Sequence, residues 1–264
     1  MQTLRNIFKT TLAAFCFFTR LPLWRIASLE KRHYERVVPL WPMVGWFTGG
    51  LMVVVYMAAS ACHLPVGVSV ALALTSRVLL TGALHEDGCA DLCDGFGGGA
   101  AQRERILAIM KDSHIGTYGV LGLLLYYLLL WNTLTEAFSH GLSPWVFVVA
   151  DAACKYLSST IVYFLPYARN EADAKNKLVY ARTSIAEKAV SLVFGLCPMA
   201  VFSMKEPWLF LCLLAPILCC LLLFVLMHRR IQGYTGDCCG ATFIITETIF
   251  YLSLCVLLSQ SYIH

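Results

Sequence analysis

Pro207-Trp208-Leu209-Phe210-Leu211-Cys212-Leu213-Leu214-Ala215-Pro216-Ile217-Leu218-Cys219-Cys220-Leu221-Leu222-Leu223-Phe224-Val225-Leu226-Met227 is a run of 21 residues without one charge. A helix of roughly 20 apolar residues crosses the ~30 Å hydrocarbon core of a bilayer. Six further stretches read the same way, at residues 37–61, 64–84, 118–138, 143–166, 190–204 and 241–260, the fifth of them short. Pro39, Pro42, Gly45, Gly49 and Gly50 in the first suit close helix packing and a kink. The whole chain of 264 residues is 59% hydrophobic and 14% charged, where soluble domains average about 25% charged residues. Its mean hydropathy is +0.69.

Those properties predict an all-α, polytopic membrane helix bundle of about seven spans, forming a single domain over residues 1–264. Residues 7–18 resemble a signal-peptide core, but Thr19-Arg20-Leu21-Pro22 offers no small-residue cleavage site. They are read as a short N-terminal helix, interfacial or re-entrant. Most of the 12 cysteines lie inside apolar runs, without zinc spacing, and behave as small hydrophobes. The net charge of +4 is small for the length and reflects ordinary loop bias; nucleic acid is not expected as a partner.

The basic residues orient the bundle. Arg5, Lys9, Arg20, Arg25, Lys31, Arg32 and Arg36 precede the first span, whereas Cys62-His63 after it carries no Lys or Arg. Arg103, Arg105 and Lys111 occupy the next connection, and the one at Ser139–Gly141 is again empty. Arg169, Lys175, Lys177, Arg182 and Lys188 follow, then Lys205 alone, then Arg229 and Arg230. Positive-inside bias therefore predicts a multi-pass protein of the cytoplasmic membrane, with the N-terminus and the segments 85–117, 167–189 and 228–240 cytoplasmic and the C-terminus opposite.

One of those segments is strongly acidic. His85-Glu86-Asp87-Gly88-Cys89-Ala90-Asp91-Leu92-Cys93-Asp94 is followed by Gly95-Phe96-Gly97-Gly98-Gly99, read as a flexible turn, and six of the 16 acidic residues fall between Glu86 and Asp112. On a helix, Asp87, Asp91 and Asp94 share one face. Stacked carboxylates repel unless a cation sits among them, and oxygen donors without His or Cys partners favour Mg²⁺, Mn²⁺ or Ca²⁺. Mg²⁺ keeps positions open for phosphate oxygens. Arg103, Arg105 and Lys111 follow closely, supplying the cations a diphosphate needs, although loop bias accounts equally well for the two arginines; Lys111 and Asp112 are framed by Gly116 and Gly119 in a tight turn at a span entrance. Asp151 and Lys155 are spaced to pair with each other, and Arg77 and Glu247 are expected to face the bundle interior.

The stretch Leu80-Thr81-Gly82-Ala83-Leu84-His85-Glu86-Asp87-Gly88 through Asp94-Gly95, with Ile109-Met110-Lys111-Asp112-Ser113 and Gly116-Thr117-Tyr118-Gly119, resembles the cobalamin synthase (adenosylcobinamide-GDP ribazoletransferase) family. Phe18-Thr19-Arg20-Leu21-Pro22, Pro42-Met43-Val44-Gly45, Tyr167-Ala168-Arg169 and Thr235-Gly236-Asp237 extend the likeness over nearly the whole chain. The resemblance implies a Mg²⁺-dependent membrane transferase that joins adenosylcobinamide-GDP to α-ribazole or its 5′-phosphate and releases GMP. Its partners are then these small molecules and membrane lipid, and docking with other nucleotide-loop assembly enzymes is a reasonable expectation. Asp87, Asp91 and Asp94 are expected to hold one or two Mg²⁺ ions on a cytoplasmic-face active-site helix. Lys111 and Arg105 would meet transition-state charge, and Asp94 or Asp112 would accept the attacking hydroxyl's proton. Substrate contacts are carried over to His85, Arg105, Ser113, Arg169, Thr235 and Asp237; for His85 a structural role competes, and for Asp237 a helix-capping one.

The chain departs from the family pattern at His114 and Lys155, where arginine is usual, and at Gln232, where glycine is common. Asn170-Glu171-Ala172-Asp173-Ala174 replaces the usual Glu-Gly-x-Gly. A CDP-alcohol phosphotransferase is a rival reading, but Gly95-Phe96-Gly97-Gly98-Gly99 stands where that family has Asp-Gly-x-x-Ala-Arg. A divalent-cation transporter, the rival of another class, would place its carboxylates near the midplane rather than between spans.

Overall fold

The computed structural model describes residues 2–169, 178–204 and 207–261. Its α-helices are α1 (Gln2–Phe18), α2 (Lys31–Tyr34), α3 (Trp41–Ala61), α4 (Val66–Thr81), α5 (Leu84–Gly98), α6 (Arg103–Lys111), α7 (Thr117–Ser139), α8 (Val146–Ser159), α9 (Ile161–Phe164), α10 (Ile185–Ser203), α11 (Leu214–Ile231) and α12 (Gly236–Ser261). Lys175, Lys177, Lys205 and the departure at 170–174 lie outside the described residues. Six helical stretches are long and apolar enough to cross a membrane, and a seventh if α4 and α5, bent by 89°, count as one broken span. This is the all-helical polytopic bundle that the hydropathy predicts.

Two spans begin earlier than expected because a cap extends them. Ser184 and Glu187 form a reciprocal capping box that starts α10 at Ile185, not at 190. The buried Thr235 accepts from the Cys238 amide (3.4 Å) and starts α12 at Gly236, not at 241. α8 is the central helix, with most of its residues buried, whereas α7 and α11 present Leu121, Leu124, Leu128, Leu218, Leu221 and Leu222 outward, as a lipid-facing surface requires. α3 lies directly on α8, since a Cβ on Gly49 would come within 2.7 Å of the Val148 Cα.

The sharp bend between α4 and α5 comes from two consecutive left-handed residues, Gly82 (φ 66°) and Ala83 (φ 58°). Glycine adopts this at no steric cost, while for alanine it costs about 1 kcal/mol. The Arg20 amide donates to the Leu80 carbonyl (2.7 Å), so the Phe18–Pro22 stretch braces the bend. α5 then runs helical to Gly98, which corrects the reading of Gly95-Phe96-Gly97-Gly98-Gly99 as a flexible turn. These glycines serve close packing: a Cβ on Gly95 would meet Met110 Cγ at 2.5 Å, and one on Gly97 would meet the Tyr118 ring at 2.5 Å.

Four charges are buried at the centre of the bundle. Arg77 on α4 grips both carboxylate oxygens of Glu247 on α12, one of them at 2.9 Å, and also donates to the Tyr126 hydroxyl on α7 (2.5 Å). Lys155 pairs with Asp151 one turn away and donates to Thr48 on α3 (2.7 Å), whose hydroxyl donates to Asp151 (2.9 Å). Both expectations for these residues hold, and within this quartet two cations offset two anions.

The basic connections meet at one end. Arg103 donates to the carbonyls of Ile231 (3.0 Å) and Ala168 (2.6 Å), Arg169 to Leu107 (2.9 Å), and Arg230 to Phe96 (3.2 Å). Arg103 is thus a brace joining α6 to two other connections, a role that loop-charge bias alone does not describe.

Candidate active site

At this end the first turns of α5 and α12 meet and open a cavity of about 170 Å³. The meeting is close because each helix presents a glycine to the other's backbone. A Cβ on Gly88 would stand 2.8 Å from the Asp237 carbonyl oxygen, and one on Gly240 would stand 3.1 Å from that of His85. As a result Asp87 and Asp237, 150 residues apart in sequence, line the same cavity together with His85 and Arg169. The alternation of basic connections predicts Asp237 on the same face as the acidic helix, and the structure brings the two into one site.

Asp87 is exposed and Asp237 half-buried. The Thr235 hydroxyl donates to Asp237 Oδ2 (3.3 Å) while capping α12, so Thr235 is a buried positioning group outside the cavity lining. His85 is 2% exposed, its ring 5.2 Å from Trp41 and 5.1 Å from Phe243, and its buried Nε2 has no hydrogen-bond partner among the described residues. Arg169 is held against Leu107 and half-buried.

The other expected site residues lie elsewhere. Asp94 is buried, and its two oxygens accept from the amides of Gly116 (2.6 Å) and Gly119 (2.9 Å), which fastens the start of α7 to α5. Asp91 is half-buried one turn beyond Asp87. Among the described residues no three His, Cys, Asp or Glu side chains gather into a metal-binding group, so Asp87, Asp91 and Asp94 do not form the expected three-carboxylate cluster. Lys111, Asp112, Ser113 and Arg105 are exposed and outside the cavity lining. Asp112 instead accepts from the His114 ring and amide (2.6 and 3.1 Å). That hydrogen bond to His114 holds the Asp112 carboxyl below the usual carboxylate range, and its counterpart raises the His114 imidazole above the usual histidine range.

Several residues that line the cavity carried no chemical signal in the sequence, although Phe18 and Tyr167 stand in stretches that carry the family resemblance. Phe17, Phe18, Trp41, Tyr167 and Tyr180 line the cavity from three separate segments, and only the fold brings them together. Glu86 is buried against the Tyr127 hydroxyl (3.2 Å) with its Oε2 unpartnered among the described residues; its helical phase, about 100° round from Asp87, was the available clue.

The cobalamin-5-phosphate synthase family matches residues 10–255 of the chain. An adenosylcobinamide-GDP ribazoletransferase of Leptospira interrogans is 32% identical over 97% of this chain and 98% of its own length. Proteins of the same description from Shewanella baltica (strain OS185) and Leptospira biflexa are 34% and 33% identical, over 93% and 90% of this chain and 93% and 91% of their own lengths. No solved structure matches. With a family match spanning most of its length and relatives at these identities, the chain belongs to the cobalamin-5-phosphate synthase family.

Proposed function

We propose that the chain joins adenosylcobinamide-GDP to α-ribazole, or its 5′-phosphate, with release of GMP, and that it does so at the α5–α12 cavity with Mg²⁺ as cofactor. The supporting observation is the convergence of Asp87, Asp237 and Arg169 on one cavity at the first turns of two helices. Helix N-termini favour phosphate through their unpaired amides and dipole, and a guanidinium forks onto phosphate oxygens. The nucleoside hydroxyl attacks the phosphorus nearer the cobinamide, the bond from that phosphorus to the GMP oxygen breaks, and the hydroxyl's proton leaves toward the carboxylate edge of the cavity.

The donor set fits Mg²⁺. This ion is held by one or two carboxylates plus substrate phosphates rather than by an all-protein cage, and Asp87 and Asp237 are two such carboxylates on one cavity. Asp91 extends the carboxylate face by one turn. When bound, Mg²⁺ supplies charge neutralisation and a template for the diphosphate. Asp94 contributes by anchoring α7, since both its oxygens are engaged by backbone amides. The positive-inside bias of the basic loops supports a cytoplasmic position for this end of the bundle, in the cytoplasmic membrane.

The test uses the purified chain in liposomes, supplied with adenosylcobinamide-GDP and Mg²⁺. GMP should form only when α-ribazole or its phosphate is added and should cease with chelator. Absence of ribazole-dependent GMP overturns the reading. CMP release from CDP-linked alcohols would replace it with lipid headgroup transfer.

A further inference from the structure

The cavity has an apolar floor and a polar rim. Trp41 (1% exposed), Phe18 (4%) and His85 (2%) form the floor, with Phe18 stacked on Trp41 at 5.0 Å and 6° between planes. Phe17 and Tyr180 meet edge to face at 6.2 Å and close one wall. Asp87, Asp237 and Arg169, all more exposed, stand at the rim. A diphosphate cannot leave its charges unpartnered against three aromatic groups, so it belongs at the rim. Something flat and weakly polar belongs below it.

Size narrows the choice. The volume of about 170 Å³ is close to the ~150 Å³ apolar cavity that accepts a benzene ring. It is smaller than the roughly 300–1,000 Å³ that enclose a whole drug-sized ligand. One ring system fills it, whereas a corrinoid or an entire nucleotide would extend beyond it. Guanine would bury an amide edge and an amino group that need several partners, and the floor supplies few. A benzimidazole glycosylated at one nitrogen keeps a single ring nitrogen to satisfy. His85 lines the cavity, and its Nε2, buried and unpartnered among the described residues, is the side-chain nitrogen left over to donate to it.

We propose that this floor is the base pocket for the acceptor nucleoside. The fused-ring base of α-ribazole enters first, between Phe17, Tyr180 and the Phe18–Trp41 stack, which leaves its ribose hydroxyls at the Asp87–Asp237 rim facing the incoming diphosphate. The proposal rests on the ribazole-transfer reading and assigns within it which substrate occupies the cavity.

The experiment measures KM for both substrates, with the full chain in liposomes. Loss of one stacking partner, in Phe17→Ala or Tyr180→Ala, should raise the KM for α-ribazole about tenfold. The KM for adenosylcobinamide-GDP should stay within about twofold, and Phe17→Tyr, which keeps the ring, should restore the ribazole value. In the second arm, wild type should prefer α-ribazole over its indole analogue, which lacks the second ring nitrogen, and His85→Leu should shrink that ratio toward one. A ratio measured within one preparation does not depend on the fraction folded. A KM rise confined to adenosylcobinamide-GDP would place guanine in the pocket and overturn the proposal, as would unchanged KM values and an unchanged ratio. Failure of the underlying reading would show separately, as no ribazole-dependent GMP from wild type.

Discussion

A Cβ on Gly88 would stand 2.8 Å from the carbonyl oxygen of Asp237 and 3.0 Å from its Cα. This contact places the carboxylate of Asp87, next in sequence, on the same cavity as that of Asp237. Gly88→Ala must therefore push α5 away from α12, because the atom it meets is backbone rather than a flexible side-chain end. Overpacking of this kind costs about 1–3 kcal/mol of stability, while a displacement near 1 Å at a reacting centre costs ~100-fold in rate. We expect GMP release to fall about 100-fold in protein that still folds. Gly50→Ala, which meets nothing within 4 Å, is the control and should stay near wild type.

Asp94 tests whether the acidic helix face is all ligand. Asn at this position would turn an amide toward a backbone N–H now accepted at 2.6 or 2.9 Å. Losing a charge-assisted bond of this kind costs about 1.5–3 kcal/mol. Thermal unfolding of Asp94→Asn in detergent should drop accordingly, while the Mg²⁺ concentration for half-maximal rate stays put. Asp87→Asn should do the opposite, with unchanged unfolding and a loss of GMP release of about 10²-fold or more. A raised Mg²⁺ requirement in Asp94→Asn at unchanged stability would return Asp94 to the metal.

These two aspartates show what could and could not be read in advance. Hydropathy located the spans because burial in lipid depends on composition, which a window of sequence contains, and the Asp151–Lys155 pairing followed from helical spacing alone. Basic-residue alternation also placed Asp237 on the face of the acidic helix. The role of Asp94 was not legible, because its acceptors' partners, Gly116 and Gly119, come from the start of a later helix. Periodicity showed that Asp87, Asp91 and Asp94 share a face, but only packing shows which of them faces the cavity. The run from Gly95 to Gly99 misled for a related reason: glycine that allows a turn and glycine that admits Met110 and Tyr118 look alike in sequence. The aromatic wall was invisible because Phe17, Trp41 and Tyr180 have no mutual spacing.

The Asp112–His114 pair predicts a pH window. His114 is raised above the usual histidine range, so its share of the pairing is complete below that range and is lost as pH rises through the raised value. Asp112 is lowered, so its share is complete above the usual carboxylate range and is lost as pH falls through the lowered value. The ion pair therefore persists between the lowered carboxyl value and the raised imidazole value and dissolves on either side. Nitrogen-15 histidine NMR should show an imidazole titrating above the usual histidine range, absent in His114→Ala and returned toward the ordinary range by Asp112→Asn. An ordinary midpoint for His114 in wild type would refute the pairing.

The buried quartet makes the last prediction. Removing Glu247 alone, as Glu247→Leu, leaves the Arg77 guanidinium, 1% exposed, with Tyr126 and the more distant Asp151. An uncompensated buried charge costs about 3–5 kcal/mol, whereas replacing both partners by apolar residues of similar volume is often neutral. Glu247→Leu should therefore unfold far more readily than the double variant Arg77→Met/Glu247→Leu, and a steric-trap or thermal assay in lipid would read the difference. Equal destabilisation would mean that the pair contributes net stability. If the double variant is stable yet slow, the quartet acts on the site instead. Arg77 lies shortly before the bend that launches α5, Glu247 lies on the helix that starts with Asp237, and tying them fixes the two carboxylates relative to each other. In that case GMP release should recover with a conservative pair that restores the tie, Arg77→Lys with native Glu247, and not with apolar packing of any volume.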